Sequence, residues 1–473
     1  MMMADGWTIV LDVGKTFSKA SLWDERGICV RQRSRPNQSL KVGAYQALDA
    51  AAIEVWLKAV LAQYATLGPI EAIVPVAHGA GAALIRDGRL QAAPLDYEWA
   101  GVAAQRAAYQ DECDPFIFTG SPPLPAGLNL GLQLHWLDSL HWKSLAAAQI
   151  LPWAQYWAWL LCGVAASEVS SLGCHTDLWR PFERAPSELA VRRGWADRLA
   201  PPKPANTILG TLCWDWALHT GLSPAVKIYC GLHDSNAALL AARSHRELEN
   251  HDATVLSTGT WFVAMRSPLQ TDATRFTSLA EQRDCLVNVD VSGAPVPSSR
   301  FMGGREIESL IGSGSRSDDT PPAAAQIEHA LRVIQSGAMI LPSAVPGVGP
   351  FPKATLRWVG EPRDAGDALV RAQLYAALIA DVSLDLIGSS DTLVIDGRFS
   401  SAPVFVQALA RLRATTQVFI SSDENGVARG ALRLVRGAES DAAALERVPP
   451  LPIDMAGYRD RWRESADASN RMI

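Results

Sequence analysis

Residues 7–23 read WTIVLDVGKTFSKASLW, and residues 253–265 read ATVLSTGTWFVAM. In each, an apolar run ends in a short loop of Gly and Thr and is followed by a second strand-like run. The first pair continues through a turn at Asp24-Glu25-Arg26-Gly27 into ICVRQR. Alternating side chains bounded by turn residues predict a β-meander. The same strand, Gly/Thr loop, strand pattern therefore opens two halves of one chain.

Working outward from these hairpins, residues 48–65 carry a helical pattern and 71–77 a buried strand. In the second half a helix over 372–388 precedes a strand at 392–396. A helix over 402–413, a strand at 417–420 and a helix after Gly426 follow. Strands alternating with helices imply an α/β sheet in each half. A length of 473 residues exceeds one compact core. We read domains at 1–243 and 250–473, joined by the polar stretch 243–252. The Pro- and Arg-rich stretch 181–204 reads as surface loop, and the polar tail from Asp454 as peripheral.

Composition narrows the function classes. Hydrophobic residues make up 48% and charged residues 19%, which fits a folded globular chain. Net charge is −6 with no basic stripe, so no nucleic-acid partner is expected. The most apolar segment, LPWAQYWAWLLCGVAA at 151–166, is too short to span a bilayer. It reads as a buried, Trp-rich helix, and no membrane partner is expected. The seven cysteines are odd in number and form no CxxC pair, which argues against disulfides and for a reducing, cytoplasmic setting. The N-terminus lacks the pattern of a signal peptide.

Three elements carry chemistry. Asp12-Val13-Gly14-Lys15-Thr16 offers a Gly that permits close approach, N–H and hydroxyl donors for a phosphate, and the Lys15 charge. Asp12, at the strand end, can hold Mg²⁺ directly or through water. A Walker A loop is rejected, because it needs a glycine where Ile9 stands and a helix where FSKASLWD reads as strand. Ser257-Thr258-Gly259-Thr260 repeats the first loop. Either loop taken alone could be an ordinary hairpin turn; the pair could grip a polyphosphate. The third element is Gly231-Leu232-His233-Asp234-Ser235-Asn236-Ala237, after an apolar strand and before the helical run AALLAA. A carboxylate there can take the proton of a hydroxyl as a phosphoryl bond forms, or it can merely cap the helix. The nine His show no HExxH, and neither a dinucleotide fingerprint nor a GxSxG elbow is present.

In this order and spacing the three elements resemble the FGGY family of carbohydrate kinases, over nearly the whole chain from about Thr8 to Val435. The resemblance implies two actin/hexokinase-like (ribonuclease H-like) α/β domains with a central cleft. It implies transfer of a phosphoryl group from ATP, with Mg²⁺, to a sugar hydroxyl. On it, Asp234 matches the catalytic base. Gly14, Lys15 and Thr16 match the first phosphate loop, and Thr258, Gly259 and Thr260 the second. Asp396-Gly397-Arg398-Phe399-Ser400, with GVARGAL at 426–432, is similar to the adenosine-binding region. His78-Gly79-Ala80 is placed like the sugar-contacting loop, and Asp96-Tyr97-Glu98 supplies polar groups and an aromatic plate. His233 is counted with the substrate-contacting residues. Trp136, Trp153 and Trp157 are read as core rather than sugar plates.

His233-Asp234 most resembles the rhamnulokinase and fuculokinase branch, as do EVSSLGCHTDLW at 168–179 and FMGGRE at 301–306. L-Rhamnulose and L-fuculose lead as substrates, ahead of ribulose, xylulose and erythritol. A homodimer is a family-level expectation. Two departures stand out: Trp261 follows Thr260 where the family usually has Ser, and Gly397 is a single glycine where the family usually has two. Lys15, uncommon in the family, could compensate by pairing with a phosphate. The alternatives are a non-catalytic nucleotide-dependent switch on the same fold, or a sugar kinase that has lost activity.

Overall fold

Two sheets are built on one plan. The structure, a computed structural model, describes residues 6–140, 143–269, 278–312, 321–421, 425–437 and 444–471. In the first sheet, β1 (Trp7–Val13), β2 (Phe17–Trp23) and β3 (Cys29–Pro36) form an antiparallel meander. Helix α1 (Ala50–Tyr64) then crosses over to β4 (Ile70–Ala77), which runs parallel to β1. A parallel neighbour requires such a crossover. Asp49 starts α1 by accepting the Ala52 N–H at 2.9 Å. Ile53, Leu57, Val60, Leu61 and Tyr64 form one stripe packed on Leu11, Ala20 and Leu22 of the meander. Helix α2 (Trp153–Cys162) adds Trp153 and Trp157 to the same core, each 1% exposed. Strands β5 (Ile208–Thr211) and β6 (Lys227–Tyr229) complete the order β5-β6-β4-β1-β2-β3, and α3 (Asp234–Ala242) follows.

The second sheet repeats this. Strands β7 (Ala253–Thr258), β8 (Phe262–Ser267) and β9 (Pro295–Phe301) form the meander. After α4 (Gly303–Ile311) and α5 (Ala365–Leu386), β10 (Thr392–Gly397) lies parallel to β7. With helix α6 (Pro403–Leu412), β11 (Gln417–Ile420) and β12 (Glu446–Arg447), six places of this seven-stranded sheet run β9-β8-β7-β10-β11-β12. Parallel and antiparallel pairings match strand for strand between the two sheets.

The chain packs as two units. One holds Met1–Ser244, Val287–Pro295 and Asn425–Ala442; the other holds His245–Leu286, Val296–Glu424 and Ala443–Ile473. The expectation of a contiguous second domain over 250–473 thus differs from the packing in two segments. The larger is α7 (Gly426–Arg436), which belongs to the first unit. Its Ala431 and Leu432 are buried with Val10, Trp23 and Val74. Arg429 sits 5.8 Å above the Trp23 ring, and Arg436 donates to the Glu25 carbonyl at 3.2 Å. Tertiary burial, not sequence neighbourhood, decides where such a helix docks.

Three local expectations are corrected. The stretch 181–204 is not a surface loop: it holds short helices Glu188–Arg192 and Trp195–Arg198, with Leu189, Ala190 and Trp195 buried. The polar tail forms a helix, Ala456–Arg471, that buries Tyr458, Trp462 and Ala466. Trp462 Nε1–H donates to the Ile340 carbonyl at 2.7 Å. At 151–166 the helix is shorter than the apolar run, because Leu151 and Pro152 end a strand. None of the described helices is long and apolar enough to cross a membrane.

Candidate active site

In the first unit, β1 ends in a tight turn closed by Gly14 N–H to the Phe17 carbonyl at 3.1 Å. Asn37 braces it by donating to the Gly14 carbonyl at 2.8 Å, while its own N–H donates to the Thr16 carbonyl at 2.8 Å. Asp12 lies at the carboxyl end of β1, where ligands of open α/β sheets gather. Its carboxyl is pushed up to about 7, first by burial and then by the charge of Asp234, with Lys19 opposing. Asp12 and Asp234, 222 positions apart by their numbers, therefore act on one another inside a single unit.

Asp234 is the first residue of α3, one step beyond the short strand Leu232–His233 that pairs with β4. Gly231 has φ +75, and a Cβ there would lie 1.9 Å from the Pro75 carbonyl oxygen, so only glycine fits this approach. Asp234 does not cap the helix by the usual bond to the second or third N–H. Its hydrogen bonds fall on Oδ1, from Ser235 N–H at 2.6 Å and Ser235 Oγ at 3.2 Å, and His233 Nε2 lies 3.1 Å from the same oxygen. Among the described residues no hydrogen bond reaches Oδ2. The side chain is 29% exposed. Burial pushes its carboxyl up to about 6, although the Ser235 donors pull the other way.

His233 was expected to contact substrate. Instead its Nε2 lies against Asp234 and 3.3 Å from Cys174 Sγ, and its Nδ1 meets Asn236 Nδ2 at 3.1 Å. Burial lowers its pKa to about 4, so the ring is neutral at pH 7. Gly79 is small for this ring: a Cβ there would lie 2.5 Å from Cys174 Sγ and 3.0 Å from His233 Cδ2.

His78, next to Gly79, is 9% exposed, and among the described residues neither ring nitrogen has a hydrogen-bond partner. Its ring meets Tyr97 edge-on at 5.3 Å and lies 6.3 Å from Trp153. Burial, then the His233 and Lys15 charges, lower its pKa to about 3. A buried imidazole with two unmet nitrogens is suited to sugar hydroxyls. Trp136 and Trp157 sit in the core, and Trp153 combines core packing with the place beside His78.

Lys15 was expected on a phosphate. Its ammonium instead pairs with Asp96 at 2.8 Å and Glu98 at 3.4 Å, with the Tyr97 ring 5.7 Å away. Ser39 also donates to Asp96. Burial works against ionisation of Asp96, but the Lys15, Ser39 and Glu98 N–H donors outweigh it and hold its pKa below the usual value. The salt bridge ties the first loop to the Asp96-Tyr97-Glu98 segment.

In the second unit, Gly259, Thr260 and Trp261 link β7 to β8, closed by Gly259 N–H to the Trp261 carbonyl at 3.0 Å. A Cβ on Gly259 would meet nothing closer than 3.8 Å, so the loop is open on that side. Thr260 is exposed. The Thr258 hydroxyl is consumed: it donates to the Asp396 carbonyl at 2.6 Å and accepts from Phe399 N–H at 3.0 Å. Thr258 thus ties the loop to the segment after β10 rather than offering a phosphate ligand. Gly397 pairs with Thr258 in register, and its φ of +88 places a would-be Cβ 2.4 Å from the Thr258 carbonyl oxygen. Arg398 is 65% exposed and pairs with Glu308 at 2.6 Å.

Sequence reasoning gave no role to four neighbours of these loops. Ser235 and Asn236 follow Asp234 and were quoted within the third element without a role of their own. Gly304 brings the first turn of α4 against the second loop, since a Cβ there would lie 2.1 Å from the Gly259 carbonyl oxygen. The Gly-Gly pair in FMGGRE was the available signal. Arg300, 7% exposed, places its guanidinium 4.6 Å from the Trp261 ring centre and bonds Asp284 at 3.0 Å.

No group of three His, Cys, Asp or Glu side chains among the described residues could hold a metal ion. Mg²⁺ asks less of a protein, taking one or two carboxylates beside water and substrate phosphates. Asp12, a carboxylate facing the like charge of Asp234, fits that demand.

A doubled sheet of this topology, with a Gly/Thr hairpin in each copy, defines the actin/hexokinase-like class of two-domain α/β proteins. Residues 250–444 match the family model of the carbohydrate kinase FGGY C-terminal domain. A carbohydrate kinase from Novosphingobium aromaticivorans is 49% identical, with 98% of this chain and 99% of that one covered and a TM-score of 0.93. The chain belongs to the FGGY family of carbohydrate kinases. Ligand-bound xylulose kinase from Lactobacillus acidophilus shares the fold at 14% identity and TM-score 0.80, over 98% of this chain and 99% of that one. Gluconate kinase from the same organism shares it at 14% and 0.80, over 98% of both chains. No curated protein matched the sequence.

Proposed function

We propose that this carbohydrate kinase moves the γ-phosphate of ATP to a hydroxyl of a ketose, with Asp234 as general base. The observation that carries the reading is the lopsided carboxylate of Asp234, with two Ser235 donors on Oδ1, none among the described residues on Oδ2, and a pKa raised to about 6. Such a group is ionised at neutral pH yet basic enough to take a proton. The hydroxyl oxygen attacks phosphorus, the bond to the bridging oxygen of ADP breaks, and the hydroxyl proton passes to Oδ2. The N–H groups of the Gly14 and Gly259 loops would steady the phosphates. Asp12 would hold Mg²⁺, which when bound neutralises the charge developing on them.

His78, Tyr97 and the Asp96 segment are the proposed sugar contacts. The unmet nitrogens of His78 support this. Within the ketoses we favour L-rhamnulose or L-fuculose, on the His233-Asp234 pair, whose Nε2 and Oδ1 lie 3.1 Å apart. The test is ADP release across a panel of ketoses and polyols, with Asp234→Asn beside it. The variant should lose about 10²- to 10⁴-fold in kcat, the usual worth of a general base, and still bind ATP. Near-normal turnover in that variant would remove Asp234 from the chemistry, and no sugar-dependent ADP release at all would favour a switch.

A further inference from the structure

A buried cation stands beside the second loop. Trp261 is two residues before Val263, which pairs across the strands with Arg300 of β9, so alternation puts Trp261, Val263 and Arg300 on one face of the sheet. Arg300 is 7% exposed, and its guanidinium lies 4.6 Å from the Trp261 ring centre. Its Nε–H donates to Asp284 Oδ1 at 3.0 Å, while Asp284 Oδ2 accepts the Gly349 N–H at 2.8 Å. The two-point pairing usual between arginine and a carboxylate is not made: Nη2 of Arg300 is buried and has no hydrogen-bond partner among the described residues. The Trp261 ring faces that charge instead, and the attraction between a cation and an indole face grows as water is excluded.

We propose that Trp261 is a positioning residue for the nucleotide: its ring, held on Arg300, fixes the second phosphate loop, so the departure from Ser at this position strengthens ATP binding rather than weakening it. The inference rests on the reading that this loop meets the phosphates. The loop turns through Gly259 and the exposed Thr260, and a Cβ on Gly259 would meet nothing closer than 3.8 Å. A glycine loses more conformational freedom on ordering than any other residue. Trp261 holds this turn twice: its carbonyl accepts the Gly259 N–H at 3.0 Å, and its ring lies on Arg300. Arg300 is itself tied to Asp284 twice, by its backbone N–H to the Asp284 carbonyl at 3.2 Å and by its Nε–H to the carboxylate. A loop ordered in advance has less freedom to lose when the phosphates arrive, and that difference appears as affinity. Serine at 261 would supply a hydroxyl but leave the guanidinium without its aromatic face.

The test measures Kd for ATP with Mg²⁺ and Kd for adenosine on the full-length enzyme, with Tm beside them. Trp261→Ser should raise Kd for ATP about 10-fold, the size of a desolvated cation–π contact. Adenosine carries no phosphate, and its Kd should change by less than about 3-fold. Trp261→Phe keeps an aromatic face and should recover most of the loss. Arg300→Met should weaken ATP as Trp261→Ser does, and the double variant should lose no more than either single one, because the two side chains act as a unit. ATP binding that is unchanged or tighter in Trp261→Ser overturns the proposal, and so do losses that add in the double variant. Equal losses for ATP and adenosine, with a lowered Tm, would make the ring merely structural and also overturn it. Gly259→Leu separates this inference from the reading beneath it, since the loop has room for the Cβ and the longer side chain would crowd a phosphate. If Gly259→Leu weakens ATP and Trp261→Ser does not, only this inference falls. If Gly259→Leu leaves Kd for ATP unchanged, the assignment of the loop to the phosphates falls first.

Discussion

Replacing Gly430 with alanine sets two effects of opposite sign against each other. Gly430 lies inside α7, and alanine in a helix interior is favoured over glycine by about 1 kcal/mol. Packing argues the other way. A Cβ at 430 would lie 1.8 Å from the carbonyl oxygen of Ala237, a backbone atom of α3, where real contacts stay beyond 3.0 Å. That oxygen cannot rotate aside, so the helices must part by about 1 Å, in an interior with little slack. Overpacking of this kind costs about 1–3 kcal/mol. Ala237 is one turn beyond Asp234, so the shift falls on the helix that aims the proposed base. Misplacement by about 1 Å can cost on the order of 10²-fold in rate. Gly430→Ala should therefore lower Tm by several degrees and reduce kcat much more than it raises either KM. The assay is steady-state kinetics beside thermal unfolding. A variant with unchanged kcat and a Tm equal to or above wild type would refute the close-packing argument.

Other variants separate roles within the site. Thr258→Val strands the Phe399 N–H and the Asp396 carbonyl, both partners of one buried hydroxyl, and should cost about 1–3 kcal/mol of stability with little direct effect on KM for ATP; a large rise in that KM at unchanged Tm would return Thr258 to the phosphates. Lys15→Met removes the cation that helps hold the Asp96 pKa down and should raise KM for the sugar more than KM for ATP; the reverse order would show Lys15 working on a phosphate. In a pH profile, kcat/KM should fall on the acid side near pH 6, because burial raises the Asp234 pKa and a protonated carboxyl cannot take the substrate's proton. An acid limb near pH 4 would mean an unperturbed carboxylate.

Much of the molecule was written locally. The two hairpins, the crossover helix after them and the strands at 392–396 and 417–420 follow from period and turn chemistry, which act over a few residues. Asp12, Gly14, Asp234 and Gly259 could be proposed from sequence because each stands at a strand end beside glycine or a helix start, a pattern that short-range reading detects. Where the sequence erred, a partner distant in the chain had decided the matter. Lys15 was given to a phosphate because nothing near it shows Asp96; the ion pair exists only once strands bring them within 2.8 Å. Thr258 looked like a ligand until β10 placed the Asp396 carbonyl on its hydroxyl.

Helix α7 makes the same point at larger scale. Its pattern gave a helix, but its home in the first unit depends on Gly430 meeting Ala237 and on Arg429 over Trp23. The amino-acid sequence by itself determined the doubled α/β plan and most of the chemically able side chains, because backbone preference and amphipathic period are local. Only the tertiary structure decided which donor meets which acceptor. Charge and burial at Asp234 are set by residues as far apart in the chain as Asp12 and Ser235, and that neighbourhood has no one-dimensional signature.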